Sequence, residues 1–382
     1  MGIRSLSICA VGGAGLLWAC CRRGKPGALS HSVSSHGGRV HRGRAVVYAD
    51  KGAGQRSVST LVATLREHGL TVRTILADEV VAGGWEHGCD LFAMPGGADQ
   101  PYCALLNGQG NARIRSFVAG GGRFIGICAG AYYGSARCEF ELGTELEIAG
   151  ARELAFFPGI ARGAAFPGFV YAKETGSRAA ELLLPCLENE RAASPTFRDA
   201  PALPQTCTVS LRNMAGIVCC LIQASMFTSA CTCLQVYVNG GCGFLAADGS
   251  SADNVPGCDV LAWFADPEVA ERIGQSGSPT REYLMSKEQC ATQLCFGPSW
   301  RSSYACSCAG RGCGQVACAV RCAFGDGVAI LTGAHPELSA SALNMEGHGS
   351  DNGLDPLVLD QLWEGETARR NLFEKLLVEL RL

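Results

Sequence analysis

Between Arg44 and Gly130 the sequence alternates short apolar runs with amphipathic stretches, and no other feature of the 382 residues restricts the fold as tightly. The runs RAVVYAD (44–50), LTVRTILA (70–77), DLFAMPGG (90–97) and RFIGICAG (123–130) have the length and apolar content of buried strands. Between them, SVSTLVATLREHG (57–69) and NARIRSFVAGGG (111–122) repeat apolar residues at helical spacing and stop at glycine. Strands joined through helices run parallel, because the chain must cross back over the sheet before pairing again. The expected class is α/β, a mostly parallel sheet with helices on both faces. Functional residues of such sheets gather at the carboxyl ends of the strands, where MPGG and GICAG both fall.

The rest of the chain is less regular. GTELEIAG (143–150) and PGFVYAKETG (167–176) read as strand and turn material, and VYVNGGCGF (236–244) as a further strand. GVAILTGAHPEL (327–338) reads as a buried strand ending near His335, and ETARRNLFEKLLVEL (366–380) as a helix with Leu372, Phe373, Leu376, Leu377 and Leu380 on one face. Two stretches break the pattern. Residues 207–235 hold Cys219, Cys220, Cys231 and Cys233, and residues 286–315 begin a second cysteine-rich cluster that runs on to Cys318 and Cys322. Neither cluster has the paired CxxC spacing of a zinc site, so both are expected to be inserted loops with incidental thiols and no metal.

Residues 1–43 stand apart. They contain no Asp or Glu, and the apolar run at 6–21 is short for a membrane span of about 20 residues but suits a signal-peptide core. The basic, serine-containing stretch that follows resembles an organellar transit peptide. A signal peptide, transit peptide or membrane anchor is expected here, and membrane contact through this segment if it is retained. Charged residues make up 18% of the chain with no basic block beyond the leader, which argues against a nucleic-acid partner.

Three segments carry chemistry. Cys128 lies between Gly126 and Gly130 where a strand meets a helix, and such a turn holds its residue in a strained conformation that only small neighbours permit. A helix N-terminus at that point favours thiolate. A nucleophilic cysteine needs a base and a group to orient the base, and His335 with Glu337 two residues on supplies both. Gly96 and Gly97, at another strand end, can present backbone N–H groups to an oxyanion, together with the N–H of Ala129. Tyr132 and Tyr133 follow the elbow and can occupy part of a binding cleft.

In this order, a Gly-Gly turn, a GxCxG elbow and a terminal HPE, the sequence resembles the class I glutamine amidotransferase-like superfamily. That resemblance implies a flavodoxin-like sheet and a Cys128-His335-Glu337 triad. The stretch from Phe92 to Gly150, with RELAFFPG, GFVYAKETG, VYVNGGCGF and VAILTGAHPEL, further resembles the N-terminal domain of eukaryotic biotin-protein ligases. The resemblance spans about residues 44–338 outside the cysteine-rich segments and extends weakly into the last helix. The ligase catalytic domain carries a GRGRxxR-like loop, for which AGRGCGQ (309–315) lacks the second basic residue, so biotin ligation by this chain itself is not expected. The expected domain runs over 44–382, without a cofactor, acting on a small-molecule amide or metabolite. The two main readings are a cysteine-dependent amidohydrolase or amidotransferase and a non-catalytic regulatory or binding module. A third, a redox role for Cys128, predicts its oxidation ahead of the other cysteines.

Overall fold

The computed structural model describes residues 43–185, 233–274, 315–345 and 354–382. The leader 1–42, most of the expected insertion at 207–235 and all but the last residue of that at 286–315 lie outside these residues. Among the described residues, no helix is long and apolar enough to cross a membrane.

The first four strands and their helices follow the sequence pattern. β1 (Arg44–Tyr48), α1 (Gln55–Glu67), β2 (Thr71–Ile75), α2 (Ala77–Ala82) and β3 (Leu91–Met94) are followed by α3 (Asp99–Leu106), α4 (Gln109–Ala119) and β4 (Arg123–Ile127). The elbow leads into α5 (Ala129–Gly134), and the chain then builds β5 (Ser135–Phe140), β6 (Ile148–Ala151), β7 (Phe157–Gly163) and β8 (Arg178–Leu183). β9 (Cys233–Val238), β10 (Cys242–Leu245), β11 (Cys258–Phe264) and α6 (Pro267–Gly274) precede the hairpin of β12 (Ala317–Phe324) and β13 (Gly327–Thr332). α7 (Ala340–Met345) and α8 (Pro356–Glu379) close the chain.

β2, β1, β3, β4 and β13 lie side by side in that order, all parallel. This 2-1-3-4-5 order is the flavodoxin-like arrangement. Alternation along β1 divides the core: Ala45 and Val47 pack with Leu61 and Leu65 of α1 and with Leu372 to Leu377 of α8, while Val46 and Tyr48 face α2, α3 and α4 through Val80, Tyr102 and Ile114. Helices therefore cover both faces of the parallel core. Beyond β13 the sheet continues through β12, β10, β7, β5 and β6 with mixed pairing, and β11, β8 and β9 branch from β12.

Two sequence expectations need correction. Cys318 and Cys322 are fully buried in β12, so they belong to the core rather than to an incidental loop. Cys233 to Gln235 open β9, which pairs with β8 along its whole length, so the insertion expected to reach residue 235 ends before Cys233. In both places the cysteines of the strand continue those of the preceding segment, so composition does not separate strand from loop. α8 also begins ten residues before the helix expected from 366, because Pro356 at its first turn and the Asp355 side chain accepting from Leu357 N–H form a helix start.

Candidate active site

Parallel pairing brings the chemistry-bearing segments to one rim. Met94 is opposite Gly126, and Ile127 is opposite Thr332, so the chain leaves β3, β4 and β13 at the same level. The Cys128 N–H donates to Thr332 O at 2.8 Å, which joins the elbow to the segment bearing His335. Cys128 sits at φ 50°, ψ −106°, a left-handed conformation that costs a side-chain-bearing residue about 1–3 kcal/mol. Its glycine neighbours are dictated by close approach. A Cβ on Gly126 would stand 2.4 Å from Gly130 O, and one on Gly130 would stand 2.2 Å from Met94 O.

His335 Nδ1 lies 2.8 Å from Glu337 Oε1, both side chains buried, and the ring and Cys128 both stand over Gly96. Burial pushes the imidazole down, but the Glu337 carboxylate and the Cys128 sulfur outweigh it and hold His335 up to about 10 from its ordinary 6.5. The ring is thereby biased toward the imidazolium form, with the Glu337 carboxylate against Nδ1. Gly96 is the spacer of this group: a Cβ there would lie 2.6 Å from His335 Cε1 and 3.5 Å from Cys128 Cβ.

Ser57, which no sequence motif marks, completes the arrangement from the first turn of α1. Its hydroxyl donates to Glu337 Oε1 at 3.1 Å and accepts from Gly96 N–H at 2.9 Å. Thr64, two turns on, donates to Glu337 O at 3.1 Å. The carboxylate is thus aimed by helix α1 as well as by Pro336. Gly96 cannot serve an oxyanion as expected, because its N–H is already engaged by Ser57. Gly97 and Ala129 both line the cleft beside Cys128, and their N–H groups have no acceptor among the described residues.

The cleft measures about 360 Å3 including its open mouth. Its walls are Phe140, Ile148, Phe169, Tyr171 and Tyr132, with Asn239 and Gly240 beside the thiol. Cys128 Sγ donates to Asn239 O at 3.6 Å, and the Tyr132 hydroxyl donates to Gly240 O at 3.1 Å. Tyr133 points elsewhere, its hydroxyl donating to Asn111 in the core. At the floor Asp99 is paired with Arg152 at 2.7 Å, both nearly fully buried. Among the described residues no cluster of His, Cys, Asp or Glu is arranged to hold a metal ion.

A sequence profile for the N-terminal region of biotin-protein ligase matches residues 44–198 and 302–382, more than half of the chain. The chain belongs to the biotin-protein ligase N-terminal family. The match leaves out 199–301, so β9, β10 and β11 fall outside it, whereas it resumes inside the stretch expected to be the second insertion. The chain is similar to a biotin–protein ligase of Schizosaccharomyces pombe, with 42% identity over 101 residues, 26% of this chain and 16% of that protein. An uncharacterized protein of Chlamydia muridarum is 44% identical over 99 residues, 26% of this chain and 38% of its own length. The chain therefore spans well under half the length of these relatives. PurLQS from Thermotoga maritima aligns at 10% identity over 88% of this chain and 99% of that one, with a TM-score of 0.39, too loose a superposition to carry an argument. The flavodoxin-like assignment rests instead on the strand order.

Proposed function

We propose that this member of the biotin-protein ligase N-terminal family cleaves a small carboxamide through a cysteine thioester. What supports the reading is a left-handed Cys128 beside the His335–Glu337 pair, in a cleft lined by two N–H groups without an acceptor among the described residues. The Cys128 thiolate, its proton held on His335, attacks the amide carbon, and the electron pair displaced onto oxygen is received by the N–H groups of Gly97 and Ala129. As the tetrahedral intermediate collapses, His335 donates its proton to the nitrogen, which leaves as ammonia or an amine. Water, deprotonated by the now neutral imidazole, then releases the acid and restores the thiolate–imidazolium pair. Glu337, fixed by Ser57, keeps Nδ1 of His335 protonated and its other nitrogen turned to the sulfur throughout.

A second reading, a binding module without turnover, is favoured by Tyr132, whose ring is anchored on Gly240 and takes up part of a small cleft. The two are separated by a carboxamide-mimicking chloromethyl ketone followed by peptide mass spectrometry. The catalytic reading expects Cys128 to be alkylated rapidly in the native protein and far more slowly after His335→Ala. Equal labelling of both proteins refutes it.

A further inference from the structure

The described cysteines include one thiol pair that the proposed chemistry does not use. Cys258 opens β11 and Cys322 lies directly opposite it in β12, 64 residues later, with their sulfurs 3.3 Å apart. The ladder around them explains the approach. Ala323 N–H donates to Gly257 O, and Cys258 N–H turns away to Val255 O, so the two cysteines form a non-hydrogen-bonded antiparallel pair. Such pairs bring their Cα atoms to about 4.5 Å, the shorter of the two antiparallel spacings and within the range a disulfide spans. The sulfurs need to close by only about 1.3 Å to bond. Cys322 is paired with Ala329 near the start of β13, so the pair lies toward the opposite end of these strands from His335.

The two thiols are unequal. Cys322 is completely buried, whereas Cys258 is half-buried and within reach of solvent. The hydrogen bond between the two sulfurs holds the Cys258 thiol below its ordinary range, while Cys322 itself is pushed well up. Reactivity toward peroxide follows thiolate character and exposure, and both favour Cys258 as the sulfur attacked first, with Cys322 as the resolving partner.

We propose that Cys258 and Cys322 form a peroxide-responsive dithiol that closes to a disulfide across β11 and β12. The Cys258 thiolate attacks hydrogen peroxide, giving a sulfenic acid and hydroxide. The Cys322 sulfur then displaces the sulfenic oxygen, giving the disulfide, and that oxygen leaves as water with the thiol proton. Two thiols and one peroxide become one disulfide and two waters. The bond staples β11, and through it the β8–β9 branch, to the main sheet.

The test treats the reduced full-length chain with graded hydrogen peroxide, blocks remaining thiols and maps peptides without reduction. A cross-linked peptide joining Cys258 to Cys322, formed ahead of modification at Cys128, Cys138, Cys242 and Cys318 and reversed by dithiothreitol, supports the proposal. In Cys322→Ser, a dimedone-trappable sulfenic acid should persist at Cys258, and Cys128→Ala should leave the cross-link unchanged. Oxidation of Cys128 while Cys258 stays reduced overturns it. So does sulfinic acid at Cys258 with Cys322 still free, or no change at either residue.

Discussion

Replacing Glu337 by glutamine isolates the electrostatics of the site, because glutamine keeps the shape and removes the charge. His335 is held up to about 10, against burial, by the Glu337 carboxylate and the Cys128 sulfur. The rise from 6.5 corresponds to about 5 kcal/mol of preference for the imidazolium. A carboxylate in contact accounts for about 1–3 pH units of such a rise. In Glu337→Gln the imidazole midpoint should therefore fall by at least about one unit, with burial now opposed by the sulfur alone. NMR of the imidazole ring protons, assigned among the seven histidines by a His335→Gln control, reads this directly. Stability carries the same signature. A group whose pKa is raised on folding contributes fully below its unfolded value and loses that contribution as pH rises through the folded one. Urea unfolding of the native protein should lose up to about 5 kcal/mol from this group between pH 6.5 and 10, and Glu337→Gln should show a flatter dependence. A His335 midpoint unchanged by the substitution, or identical pH slopes for both proteins, would refute the reasoning.

Three further outcomes follow from packing. Gly130→Ala should destabilise the fold by about 1–3 kcal/mol in urea titration, because its Cβ meets the backbone oxygen of Met94 rather than a side chain that can turn aside. Ser57→Ala should cost about 1–3 kcal/mol by leaving the Gly96 N–H without its partner, and should slow Cys128 alkylation by releasing Glu337, whereas Ser57→Thr should recover part of both. Arg152→Met should cost about 3–5 kcal/mol in urea titration by stranding the buried Asp99 carboxylate beside the cleft.

The parallel half of the fold was legible because its strands are apolar runs punctuated by glycine and joined by amphipathic helices, features fixed by local chemistry. Cys128, His335 and Glu337 were legible for a related reason: a strained elbow and an imidazole beside a carboxylate leave recognisable residues at strand ends. Ser57 was not, since a serine in the first turn of an amphipathic helix is ordinary, and its partners are 39 and 280 residues away. Gly96 illustrates the converse. Sequence showed the glycine but not its reason, which is the space that His335 and Cys128 require rather than a free N–H. The starts of β12 and β9 were hidden because cysteine-rich segments look alike whether they pair or loop.

Whether Cys128, His335 and Glu337 act together as a nucleophilic unit is read by intact-protein mass spectrometry under single-turnover conditions with a panel of small activated anilides. A nucleophilic unit gives a transient acyl adduct on Cys128 in the native chain, decaying as amine and acid are released, and no adduct in Cys128→Ala or His335→Ala. An adduct that forms as fast without His335, or none on any protein while the fold remains intact, would contradict it.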